Sequence, residues 1–186
     1  MTAIIKVNVD DLDAAFLKDI KEQYAHSTLE IHVHDESESP FTEGSFWRLI
    51  DTLDWSKEGN DEAVIAPLVK HLANAPLAHI YSFHDLLSEM LWKLDTKQHA
   101  QPFLNDPEEE GYLSVDDFLY ARCAVVANGQ AYYDNILLSP SEMPTHITFE
   151  PLLYVAGEAY KQQTGKPLMT PPAYNYETYG NKKGWE

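Results

Sequence analysis

Between Pro76 and Leu94 the apolar side chains Ile80, Phe83, Leu87, Leu91 and Leu94 recur at intervals of three and four. That spacing places them on one face of an α-helix. A helix so striped must bury the stripe against other elements, so the chain needs a packed helical or mixed domain around it. Neighbouring segments repeat the pattern. Thr42 or Ser45 can cap a helix carrying Phe46, Leu49, Ile50 and Leu53. Asn60 caps another, with Asp61 and Glu62 in the first turn, where the helix dipole favours negative charge. Pro67 is expected to kink that helix or restart it, and Pro76 to open the long one. Ser114 caps a helix with Phe118, Leu119, Cys123 and Val126 on its apolar side, and Asn128-Gly129 ends it. A short helix carries Tyr132, Tyr133, Ile136 and Leu137. The last holds Leu152, Val155, Ala156 and Ala159 and stops at Gly165, where a left-handed residue is wanted. Residues 95–113 read as irregular, and the tail from Lys166 is rich in proline and aromatics.

The first 36 residues follow a different rule. Ile5, Val7 and Val9 alternate with Lys6, Asn8 and Asp10, and Leu29, Ile31 and Val33 alternate with Glu30, His32 and His34. Period two is the mark of a half-buried strand. Between them Leu12, Phe16, Ile20 and Tyr24 recur every four residues, as on a helix. The expected fold class is therefore mainly α (α+β): a multi-helix domain over 45–186 with a small β-α-β appendage over 1–36. The polar segment 35–44, with Pro40 and Gly44, divides them. Two strands are marginal by themselves, so a homodimer through residues 1–34 is expected.

Charge bounds the partners. Thirty Asp plus Glu stand against thirteen Lys plus Arg, for a formal net charge of −17, and hydrophobic residues make up 44%. Phosphate backbones are gripped by cations, so this balance argues against nucleic acid and anionic membrane, and for a basic protein partner or for solubility alone. The opening residues lack the basic stretch of a signal peptide, no run is long enough to span a bilayer, and the single cysteine, Cys123, excludes a disulfide framework. These point to the cytoplasm.

Few residues suggest chemistry. Glu30, His32, His34 and Glu36 would share one face of the second strand, a donor set that suits zinc, or simply the wet face of that strand. Cys123 lies on the apolar side of its helix, as a core thiol does. Arg122, one of two arginines, sits among apolar residues, with Glu158 as a possible partner across the core. Trp47, Tyr120, Arg122 and Glu158 together make a candidate pocket for a substrate or small ligand, and a structural ion pair or snorkelling arginine is the plainer alternative. The run Asp106, Glu108, Glu109 and Glu110 offers a candidate contact for a basic partner, or a solvated loop. There is no phosphate-cradling glycine loop, nucleophile elbow or zinc-helix motif, so no cofactor is expected. The aromatics Phe46, Trp47, Phe118, Tyr120, Tyr154 and Tyr160 are expected in the core.

Four stretches carry a family resemblance: Phe46-Trp47-Arg48-Leu49-Ile50-Asp51; Asp116-x-Phe118-x-Tyr120-x-Arg122 with Gly129 and Tyr133 after it; Leu153 to Tyr160 with Thr164-Gly165; and Asn181 to Trp185. With these, residues 45–186 resemble the bacterial domain-of-unknown-function family 4240. The chain departs from the family pattern at Val115, where an acid is usual, and over Lys97 to Gly111. The resemblance implies a helical domain and no particular activity. The spacing Ile5-x-Val7-x-x-Asp10-x-Leu12-x-x-x-Phe16-Leu17 is similar to the N-terminal arms of small bacterial antitoxins, which dimerise. Such a likeness, with the acidity and the lack of catalytic motifs, points to a binding protein of the immunity or antitoxin type; an enzyme or small-ligand binder with a pocket near Arg122 and Glu158, and a scaffold protein, are the alternatives.

Overall fold

The computed structural model describes residues 14–25, 40–105 and 112–186. The chain divides into two compact units, Met1–Ser39 and Pro40–Glu186. In the first, helix α1 (Ala14–Gln23) occupies the position expected from Phe16 and Ile20, and none of its residues is buried. The two expected strands lie outside the described residues, which contain no strand, so of the expected β-α-β appendage only the helix is described. The antitoxin-like spacing and the Glu30, His32, His34 face fall largely or wholly in the same undescribed segments.

The second unit is helical. Its elements are α2 (Glu43–Ile50), α3 (Asp61–Ala73), α4 (Leu77–Leu94), α5 (Lys97–Leu104), α6 (Val115–Ala127), α7 (Gln130–Leu138) and α8 (Val155–Thr164). The starts follow local chemistry. The Thr42 side chain accepts from the Ser45 amide, Asn60 from Ala63 and Ser114 from Asp117, each covering a donor that the helix itself cannot satisfy. Gly129 (φ +90) separates α6 from α7, and Gly165 (φ +72) ends α8. Both adopt the left-handed backbone that a side chain disfavours.

Two expectations change. Pro67 does not restart its helix, since α3 runs from Asp61 to Ala73 with Val64, Leu68 and Leu72 buried on both sides of the proline. Burial of that face outweighs the missing backbone donor. Within the stretch read as irregular, Thr96 caps α5, which buries His99, Ala100 and Phe103. Too few apolar residues lie in that helix for a periodic stripe to show.

The stripe of α4 is wholly inside: Ile80, Phe83, Leu87, Leu91 and Leu94 are all buried. α4 packs on α6 and α8, and α3 packs on α8. α6 is the innermost helix, with Phe118, Leu119 and every residue from Ala121 to Ala127 buried. A helix enclosed on all sides carries no polar stripe, and small residues at Ala121, Ala124 and Ala127 let neighbours approach it closely.

Candidate functional site

Arg122 projects from the middle of α6 and is fully buried. Its Nε donates to the Phe118 carbonyl at 3.4 Å, one terminal nitrogen to the carbonyls of Leu91 and Tyr176 at 2.9 Å each, and the other to Thr178 Oγ1 at 3.0 Å. The guanidinium carbon lies 4.7 Å from the Phe118 ring centre, where the ring face attracts a cation. Burial pulls its pKa down to about 10, against the pull of Asp95, so it is still a cation at neutral pH.

Asp95, just past the end of α4, is the buried counter-charge. Its carboxylate accepts from the Tyr179 amide (3.1 Å), the Asn181 amide (2.8 Å) and the Trp185 indole (2.9 Å). Tyr176, Thr178, Tyr179, Asn181 and Trp185 all belong to the tail, so one buried cation and one buried anion clasp residues 176–186 onto α4 and α6. Gly180 and Gly184 make the close fit possible. A Cβ on Gly180 would stand 2.2 Å from the Asn175 carbonyl oxygen, and one on Gly184 would stand 2.9 Å from that of Asp95.

The candidate pocket is thus occupied from within. Trp47 is buried, its indole donating to Glu43 and its ring against Tyr133. Arg122 is sealed, Tyr120 is half-buried, and Glu158 is exposed on α8, where it makes no ion pair with Arg122. The expected Arg122–Glu158 pair is replaced by carbonyls and a hydroxyl of the tail. Asp95 was visible in the sequence only as one acid among many; its place at the end of a buried helix, ahead of a tail rich in donors, is the signal that marks it.

Cys123 is buried, and that burial pushes its thiol up to about 12, so it is a core group and not a nucleophile. The run Asp106, Glu108, Glu109 and Glu110 lies outside the described residues. A shallow, open depression of about 540 Å³ sits between α5 and the turn Pro140–Glu142, lined by Lys97, Gln101, Pro102, Asn105 and Pro140. That lining contains no carboxylate or histidine.

A second polar cluster is at the surface. The 3-10 turn Glu150–Tyr154 packs on α3 and α6, and the Phe149 amide donates to the Tyr120 carbonyl at 3.0 Å. The Tyr154 hydroxyl donates to Glu150 Oε1. The hydrogen bond to Glu150 raises the pKa of Tyr154. Tyr120 is raised as well, by loss of water contact first, then by Glu150 and Asp116. Tyr154 is exposed, contrary to the expected core position, because it belongs to the turn before α8 and not to that helix's buried face.

A family model described as a protein of unknown function (DUF4240) matches residues 41–162. No curated protein and no solved structure matches the chain.

Proposed function

The chain belongs to the DUF4240 family of proteins of unknown function, and on that footing we propose that it is an acidic binding protein that engages a basic protein partner, in the manner of an immunity or antitoxin-type inhibitor. The observation that carries this reading is the charge balance of thirty carboxylates against thirteen Lys plus Arg. Among the described residues the interior does not dilute it, because Arg122 and Asp95 are the buried Arg and Asp and they cancel. The net charge of the described residues therefore lies outside their interior, and such a charge steers a basic protein inward and repels nucleic acid. The other reading, an enzyme or small-ligand pocket at Arg122 and Glu158, has less support, because the Arg122 donors are taken up by Leu91, Tyr176 and Thr178.

The test is capture from a lysate of the source cells on the immobilised full chain, with a salt gradient for elution and mass spectrometry of what elutes. The reading expects basic proteins released well below 1 M salt. Neutral or acidic partners, or partners held at 1 M salt, would overturn it. We also propose that residues 1–34 pair two copies, since no residue of α1 is fully buried and Leu17 in it and Tyr24 just after it are exposed. Light scattering should give a dimer for the intact chain and a monomer for one starting at Phe41; a monomeric intact chain at high micromolar concentration refutes the pairing.

A further inference from the structure

Large aromatics on a monomer's surface are uncommon in groups, and grouped ones mark contact surfaces. Trp55 and Tyr154 are both exposed, as is Ile147. Their placement is fixed from beneath. The 3-10 turns Trp55–Lys57 and Glu150–Tyr154 both pack on α3. The Trp55 ring lies 5.0 Å from that of buried Phe149, the residue before Glu150. Glu150 itself is half-buried and is held by the Tyr154 hydroxyl, and its charge contributes to raising the pKa of Tyr120. Among the described residues no lysine or arginine lies within ion-pairing distance of it.

We propose that this surface, Glu150 with Tyr120 and Tyr154 beside it and Trp55 against the adjoining Phe149, receives an arginine side chain of the basic partner. The proposal rests on the reading that the partner is basic, and it names where and by what chemistry that partner is held. A carboxylate offers about four lone-pair sites, so the Tyr154 donor leaves most of them for a guanidinium. That donor also fixes the carboxylate's orientation before the ligand arrives, which lowers the ordering cost of binding. The exposed Tyr154 ring at the carboxylate, and the exposed Trp55 ring against the adjoining Phe149, suit a planar, weakly hydrated cation that stacks while it bonds. An ammonium would gain the charge attraction but neither the fork nor the stacking, so arginine is preferred to lysine. Lys57 in the first turn is drawn to Asp54, and exposed Asp116 in α6 acts on Tyr120, so the surroundings favour a cation.

The probe is a hexa-arginine peptide, compared with hexa-lysine, titrated into the full ¹⁵N-labelled chain at about 0.15 M salt. Hexa-arginine is expected to bind at least about five-fold tighter than hexa-lysine and to shift the Trp55 indole and backbone signals of residues 147–155. Glu150→Gln and Trp55→Phe should each weaken hexa-arginine about three- to ten-fold, while Asp61→Asn and Glu62→Gln on the start of α3 leave it unchanged. Unchanged melting of the Glu150→Gln chain shows that the loss is not one of folding. If both peptides bind equally and the four variants behave alike, the arginine site is refuted while an acidic binding surface stands. If neither peptide binds, the arginine site is refuted as well, and the lysate capture alone decides the wider reading.

Discussion

Arg122 shows how a charged side chain becomes a structural element. Its donors run to three carbonyls, those of Phe118, Leu91 and Tyr176, and to the Thr178 hydroxyl. Removing it would strand those acceptors and leave buried Asp95 without its counter-charge. Arg122→Met should therefore cost ~3–5 kcal/mol in urea unfolding, and Arg122→Lys should also destabilise, because a single ammonium cannot span the same acceptors. A loss below about 1 kcal/mol for the Met variant would show that the clasp carries little of the fold's stability. His99 makes a second residue-scale prediction. Its ring bonds Thr96 Oγ1 at 2.7 Å and the Ile136 carbonyl at 3.2 Å, and burial, with Arg122 opposing a second charge, lowers its pKa. The unfolded chain then takes up a proton before the folded one does, so stability falls as pH drops below the ordinary histidine value of ~6.5. His84 shifts in the same direction and adds to the slope. The urea midpoint should fall between pH 7.5 and 5.5, and fall less steeply in His99→Gln; parallel slopes would exclude His99 as a source.

At the scale of elements, what was legible in the sequence was what obeys a period or a cap. The starts of α2, α3 and α6 at Thr42, Asn60 and Ser114, and the buried stripe of α4, follow from spacing and from unpaired amides that need an acceptor. What escaped was held by distant contacts. α5 exists because His99, Ala100 and Phe103 are buried by other elements, and Tyr154 is outside because its turn, not its helix, sets its direction. The tail has no period at all, yet it is ordered through Asp95, Arg122 and two glycines; of these only Arg122 reads as a structural charge in one dimension, and the partner expected for it, Glu158, is not the one it has. Gly184 tests this directly. An added Cβ would stand 2.8 Å from Thr96 Cγ2 and 2.9 Å from the Asp95 carbonyl oxygen. Gly184→Ala should lift the last turn, red-shift tryptophan fluorescence as Trp185 leaves Asp95, and destabilise by ~1–3 kcal/mol. An unchanged emission maximum and melting temperature would mean that the tail yields without letting go.

At the scale of the whole molecule, charge acts on folding and on association with opposite signs. A net −17 repels itself most strongly in the compact state, so screening should help the fold. The same charge draws a basic partner, so screening should hinder encounter. The screening length falls from about 10 Å at 0.1 M salt to about 3 Å at 1 M, so both effects should be spent over that range. The melting temperature of the chain alone should therefore rise with sodium chloride, while the association rate with a captured basic partner falls and its dissociation rate changes much less. The two trends separate the explanations of the acidity. A chain whose charge served solubility alone would show the first trend and not the second. If the melting temperature rises while the association rate holds steady from 0.05 to 0.5 M salt, the partner is recognised by other means and the acidic surface is not what brings it in.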